Sequence, residues 1–159
     1  MAAASASVDG IARVPLERTF DLATPLTPVG FYPKFGPLPA TIEVRDQTGP
    51  WDAPGQTRQL ILSDGGYVIE HLKLVERPSR FSYELTDFQK LFGKLVSGAW
   101  ANWEFTAVPG GTRIRWTYTF HPFPQPVARV VVGAIVTLFW GPYMKKVLPG
   151  IINEVESRA

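Results

Sequence analysis

The chain has 159 residues, enough for one domain with a genuine core, and its 16 basic and 14 acidic side chains leave a net charge of +2. So even a balance, with no basic run, excludes a charge-driven nucleic-acid binder. The absence of cysteine excludes disulfides and thiolate chemistry, and five Trp, five Tyr and ten Phe exclude a disordered chain.

The opening MAAASASVDG lacks a basic stretch followed by an apolar core, so it does not read as a secretory signal. It reads as a flexible lead-in over residues 1–7 of a single cytoplasmic domain spanning 1–159. A short strand follows in VDGIARV. PLERTFDLA then predicts a helix, with Pro15 where a helix start tolerates it and Leu16 and Phe20 on one face. Pro25 ends that helix. Pro25, Pro28, Pro33, Pro37 and Pro39 remove amide donors and predict an irregular loop holding Phe31, Tyr32 and Phe35.

Strand signals then come in series. ATIEVRD alternates, and TRQLILS and YVIEHLKLV flank DGG, the mark of a tight hairpin. RFSYELTDF alternates as Phe81, Tyr83, Leu85, and GAWANWEFTAV as Ala101, Trp103, Phe105. After PGG, TRIRWTYTF puts Ile114, Trp116, Tyr118 and Phe120 on one face and Arg113, Arg115, Thr117 and Thr119 on the other. Period-2 patterning of this kind predicts an antiparallel sheet with one apolar face and one wet face.

Residues 127–140 hold only Arg129 and Thr137 as clearly polar groups, and Met144, Val147, Leu148, Ile151, Ile152 and Val155 continue at helical spacing. The C-terminal third is therefore expected to be one long helix, kinked near Pro142 and Pro149. Pro142, Lys145 and Lys146 interrupt the apolar run before the ~20 residues that a bilayer span needs, so no transmembrane segment is expected. The helix should cover the apolar face of the sheet. Residues 127–140 are apolar nearly all round, and three covers suit the excess: a second subunit in a homodimer, the aromatic loop, or a membrane surface.

The order is strand, short helix, irregular loop, six strands and a long helix. Three stretches carry a likeness beyond the order: VPLERTFDLAT, GPWDAPGQTRQLILSDGG and YVIEHLKLVERPSRFSYEL. Over about residues 8 to 157 the chain resembles the Bet v 1-like START (SRPBCC) superfamily, the polyketide cyclase/dehydrase and lipid-transport group. The resemblance implies an α+β helix-grip fold, a curved seven-stranded antiparallel sheet wrapped around a long C-terminal helix. It also implies a cavity for apolar or amphipathic molecules such as lipids, sterols, polyketides or plant hormones. Some members bind and carry, some catalyse cyclisation or dehydration, and some serve as chaperone cofactors or toxin partners. They share no catalytic motif, so no catalytic residue follows. The proline-rich loop and the long link DFQKLFGKLVSG depart from the commoner pattern.

Among individual residues, Glu70 carries the most interest. Val68, Glu70, Leu72 and Leu74 share one face of their strand; a three-residue DGG loop places Arg58 near Glu70, and a four-residue loop flips the pairing. A carboxylate in an apolar wall needs a partner or it neutralises. Glu70 is thus a ligand anchor, an acid or base, half of a structural pair with Arg58, or, in the other register, a carboxylate that meets water. Tyr83, Trp103, Trp116 and Tyr118 alternate onto the same inner face, as cavity walls or as packed core. In an enzyme, Glu70 serves as base and Tyr83 or Tyr118 as proton donor. Phe88, Leu91, Phe92 and Leu95 form either a closure for the cavity mouth or a satellite patch. His71 and His121 are the only histidines, which does not suit a dedicated zinc site. No Gly-x-Ser-x-Gly elbow, Walker pattern or dinucleotide fingerprint occurs, so no metal and no cofactor is expected.

Overall fold

The computed structural model describes residues 4–159. Its elements run β1 (Ala4–Ala12), α1 (Leu16–Ala23), β2 (Thr41–Arg45), β3 (Thr57–Leu62), β4 (Tyr67–Glu76), β5 (Arg80–Thr86), β6 (Val96–Val108) and β7 (Gly111–Pro122). The helical run that follows comprises α2 (Pro126–Ile135), a π turn (Val136–Trp140) and α3 (Gly141–Arg158). The strands form one curved antiparallel sheet in the order β1-β7-β6-β5-β4-β3-β2, so the first strand closes one edge beside the last.

The lead-in is shorter than the sequence suggests. Ala4–Ser7 already belong to β1, where Ala4 pairs with Phe120 and Ser7 with Thr117; residues 1–3 lie outside the described residues. Small residues are poor strand formers, but here pairing with β7 decides. Ser5 and Ser7 hydroxyls meet those of Thr119 and Thr117 at 2.7 Å each on the wet face. The small residues of β1 also let the long helix come close. A Cβ on Gly10 would stand 2.7 Å from the Ile152 Cδ1, and Ala6 faces Gly141.

The β3–β4 turn has three residues, Ser63–Gly65, one step earlier than DGG. Leu62 N–H bonds to the Gly66 carbonyl at 2.9 Å, and Gly65 takes φ +87, which glycine adopts without strain. This register sets Arg58 directly opposite Glu70. A bulge between Leu72 and Leu74 then inverts the alternation of β4. Val75 packs on the core where Leu74 was expected, and Leu74 leaves the inner face. The link before β6 is shorter than expected too: Val96 and Ser97 are already in the strand, and Phe92–Lys94 form one 3-10 turn.

The helical run from Pro126 to Arg158 is continuous over 33 residues, through both Pro142 and Pro149, and is long and apolar enough to cross a membrane by length and composition. In this fold it is a core helix. Val132, Val136, Met144, Val147, Leu148 and Val155 are each at most 4% exposed beneath the sheet. The π turn sits where Pro142 has no N–H to give back to the preceding turn, and the wider winding absorbs that loss. Val127, Val130 and Leu138 remain 64–71% exposed on the outer side.

Candidate ligand cavity

α3 packs chiefly along β1, at one edge of the concave face. α1 fills the space beside it, with Phe20 edge-on to Phe81 and Phe105 at 6.2 and 5.3 Å. Trp103 stacks on Trp116 at 4.8 Å and on Phe81 at 5.7 Å. Over β3, β4 and the near ends of β5–β7 the cover is looser. There the proline-rich loop, the 88–95 segment and the Ile135–Tyr143 stretch of the helix arch across, and a cavity of about 310 Å³ remains beneath them.

The cavity wall is apolar and aromatic. Leu60, Val68, Leu85 and Phe120 come from the sheet, Tyr32 and Leu38 from the loop, Phe88 and Phe92 from the link, and Trp140 and Tyr143 from the helix. The π turn delivers Trp140 against Tyr118, with ring centroids 4.6 Å apart. The Tyr143 hydroxyl donates to the Pro33 carbonyl at 2.7 Å, and Phe35 stacks on the Tyr143 ring, so the loop is pinned to the helix at two points. Asp64 and Lys90 mark the exposed rim, beside Leu91, which is 70% exposed.

Among the described residues, Glu70 is the one charged side chain that reaches the interior of the wall. Its Oε1 accepts from Arg58 Nε at 2.7 Å, and both side chains are 5% exposed. Burying two charges costs on the order of several kcal/mol per ion unless their geometry and hydrogen bonds compensate. Here Arg58 has two further supports. Its guanidinium carbon lies 4.1 Å from the centre of the Trp51 ring, a cation–π contact, and its Nη1 approaches the Leu26 carbonyl at 3.4 Å. Trp51 is fully buried and takes φ +61, the left-handed region, a strained place for an aromatic residue. The segment from Thr48 to Gln56 is held by the sheet through Gly55 N–H to the Leu72 carbonyl and Leu72 N–H to the Gln56 carbonyl, both 2.9 Å.

Four tyrosines line the cavity with the carboxylate. Burial, and after it the neighbouring Tyr83 and then Glu70, push the phenols of Tyr32 and Tyr118 well above their usual value. Burial and then the Glu70 charge do the same at Tyr83, and burial alone at Tyr143. All four are therefore neutral hydrogen-bonding groups at ordinary pH. The Tyr118 hydroxyl and Glu70 Oε2 have no hydrogen-bond partner among the described residues.

The sequence candidates thus separate. Glu70, Tyr83 and Tyr118 line the cavity. Arg58 and Trp103 stand behind it, around a void of about 30 Å³, and Trp116 is sealed in the packed stack. Phe88, Leu91, Phe92 and Leu95 all line the cavity at its mouth end. His71 lies on the outer face, with Nε2 2.8 Å from Thr86 Oγ1, and His121 is exposed at the end of β7. Among the described residues no group of three or more His, Asp or Glu is placed to hold a metal ion. Sequence reading missed Trp51, Tyr32, Trp140 and Tyr143 as site residues. The last two carried a signal, because Val136, Trp140, Tyr143 and Val147 recur at spacings of a helical face. Trp51 and Tyr32 sit in irregular segments, where no period exists to read.

The architecture has clear relatives among solved structures. TTHA0849 from Thermus thermophilus superposes with a TM-score of 0.69 at 14% identity, covering 98% of this chain and 99% of that one. MLL2253 from Mesorhizobium loti gives 0.61 at 16%, covering 98% of both chains. Ara h 8.0201 gives 0.57 at 18%, covering 99% and 97%. No curated protein matches the sequence. The sequence profile of one family, described as "Polyketide cyclase / dehydrase and lipid transport", matches residues 2–156. With that match over nearly the whole chain and a helix-grip fold around an apolar cavity, the protein belongs to the polyketide cyclase/dehydrase and lipid transport family.

Proposed function

We propose that this protein binds a hydrophobic or amphipathic small molecule in the cavity between the sheet and the C-terminal helix. The observation that carries the reading is the cavity itself, about 310 Å³ of space walled by aromatic and aliphatic side chains with one carboxylate among them. That is the lower end of the roughly 300–1,000 Å³ range of small-molecule sites. Affinity comes from burying the ligand's hydrocarbon surface, worth about 25 cal/mol per Å² before binding costs are subtracted. Glu70, Tyr83 and Tyr118 orient the ligand, and Arg58, Trp103 and Trp116 hold the wall from behind. A cytoplasmic location belongs to the same reading, and a chain without cysteine is compatible with it.

Native mass spectrometry of the protein as purified tests the proposal, together with a melting-temperature screen against lipids and polyketides. A bound small molecule, or a ligand that stabilises by about 2.7 kcal/mol when present at ~100 times its Kd, is the expected result. The absence of both adduct and shift would defeat it.

A cyclase or dehydratase is the second reading, favoured by a carboxylate and phenols, Glu70, Tyr83 and Tyr118, on one cavity wall. Carriage is preferred because Glu70 is already engaged by Arg58 and anchored by it. In an enzyme, Glu70→Gln abolishes turnover and leaves binding intact; turnover that survives the change removes Glu70 as base. The exposed stripe Val127, Val130 and Leu138 is the part of residues 127–140 suited to a homodimer or to a peripheral membrane contact. Sedimentation and liposome flotation decide this point: a monomer that ignores liposomes has no such contact.

A further inference from the structure

The polar end of the cavity has a sign. Glu70 borders both the cavity and the small void behind it, whereas Arg58 borders only the void. Arg58 approaches Oε1 from the rear, with its guanidinium laid against Trp51. The pair is neutral as a whole but turned so that its negative end meets the cavity, with Oε2 left without a protein partner among the described residues. The surrounding phenols register that direction. Tyr32, Tyr83 and Tyr118 all feel the Glu70 charge, and the counter-influence of Arg58 reaches only Tyr83, where it is the weaker of the two. Among the described residues the cavity's one cation, Lys90, is exposed at the rim beside Asp64.

We infer that the cavity selects an uncharged ligand whose head is a hydroxyl and whose body is a compact ring system, and that it turns carboxylates away. The inference rests on the binding function proposed above and adds the chemical class. A carboxylate only accepts hydrogen bonds, so Glu70 Oε2 requires a donor. A ligand hydroxyl supplies one and keeps lone pairs for the phenols that share the cavity wall. A ligand carboxylate would set a second buried negative charge beside the first, with no cation in the interior to answer it. The body follows from the walls: Tyr83, Tyr118, Phe120, Phe88, Phe92 and Trp140 offer ring faces and edges around a space too small for a two-chain lipid.

Naphthylmethanol and naphthoate substituted at the same ring position make the test, with Nile red as a neutral probe lacking any hydroxyl. Binding is followed at neutral pH by calorimetry and by quenching of tryptophan fluorescence. The alcohol is expected to bind at least about tenfold more tightly than the carboxylate, the size of one charge-assisted hydrogen bond and one avoided charge clash. In the double variant Arg58→Gln with Glu70→Gln, which removes both charges, the preference should shrink to within about threefold. Naphthoate binding as tightly as the alcohol to the unaltered protein overturns the inference, whatever the variant does. Nile red binding without the alcohol also overturns it, yet leaves the cavity function standing. Failure of all three probes takes the cavity function and the inference together.

Discussion

The two ends of the interior are built from the same kinds of residue and do opposite things. At the end beneath α1 and α3, Phe20, Phe81, Phe105, Trp103 and Trp116 pack ring against ring, edge-on or stacked. At the other, Tyr83, Tyr118, Phe120 and Trp140 surround open space. Aromatic content therefore does not distinguish core from cavity. The difference lies in what arches over the sheet: a helix fills a concave face to native density, whereas a loop with five prolines cannot follow the surface beneath it. The fold packs α1 and α3 along one edge and leaves the other to a strap and the widened turn of the helix.

Substitutions at matched depth can break this comparison. Trp103→Ala, in the packed end, should cost about 3–5 kcal/mol in urea unfolding, whereas Leu60→Ala, on the cavity wall, should cost about 2 at most because fewer contacts are lost. Equal losses would mean that both ends are equally packed. Arg58→Met leaves Glu70 buried without a partner and should cost about 3–5 kcal/mol, while adding Glu70→Leu should recover most of that loss. No recovery would show that Arg58 acts through Trp51 and not through the ion pair.

Alkaline titration sharpens the picture without mutation. The phenols of Tyr32, Tyr83, Tyr118 and Tyr143 are raised in the folded state, so the unfolded chain releases those protons first. Their contribution is fully present below the ordinary tyrosine value of 10.0 and is lost as pH rises above it. Phenolate absorbance from four of the five tyrosines should thus appear together with unfolding. A gradual rise in a protein still folded by circular dichroism would mean that these phenols are open to water. The smallest effect on stability is expected from Val68→Phe, which points a ring into the cavity. It should leave stability unchanged or raise it by up to about 1 kcal/mol and abolish ligand uptake. A loss of about 1–3 kcal/mol, the usual result of overpacking, would mean that the space is not there.

Much of this arrangement was legible in the chain itself. Alternation through Phe81–Leu85, Ala101–Phe105 and Ile114–Phe120 gives the sheet and its inner face, whereas the DGG turn leaves the Arg58–Glu70 encounter as one of two registers, and the sheet takes it with a turn one residue earlier. The rest lies beyond periodicity. Ala4–Ser7 look featureless until β7 is beside them. The bulge after Leu72 leaves no mark in the residue pattern yet exchanges Leu74 for Val75. Trp51 finds Arg58 only because Thr48–Gln56 folds back along β4, a tertiary choice that no local rule encodes.

The widened turn at Val136–Trp140 sets the phase of everything after it. If the same five residues were wound as ordinary α-helix, the following helix would turn by about the 100° of one residue. Tyr143 would leave Pro33, and Met144, Val147 and Val155 would swing off the strands. Five residues thus act as a clutch between the outward oily stripe and the inward one: a codon lost there would leave the two engaged, whereas one lost from the regular turns on either side would disengage them.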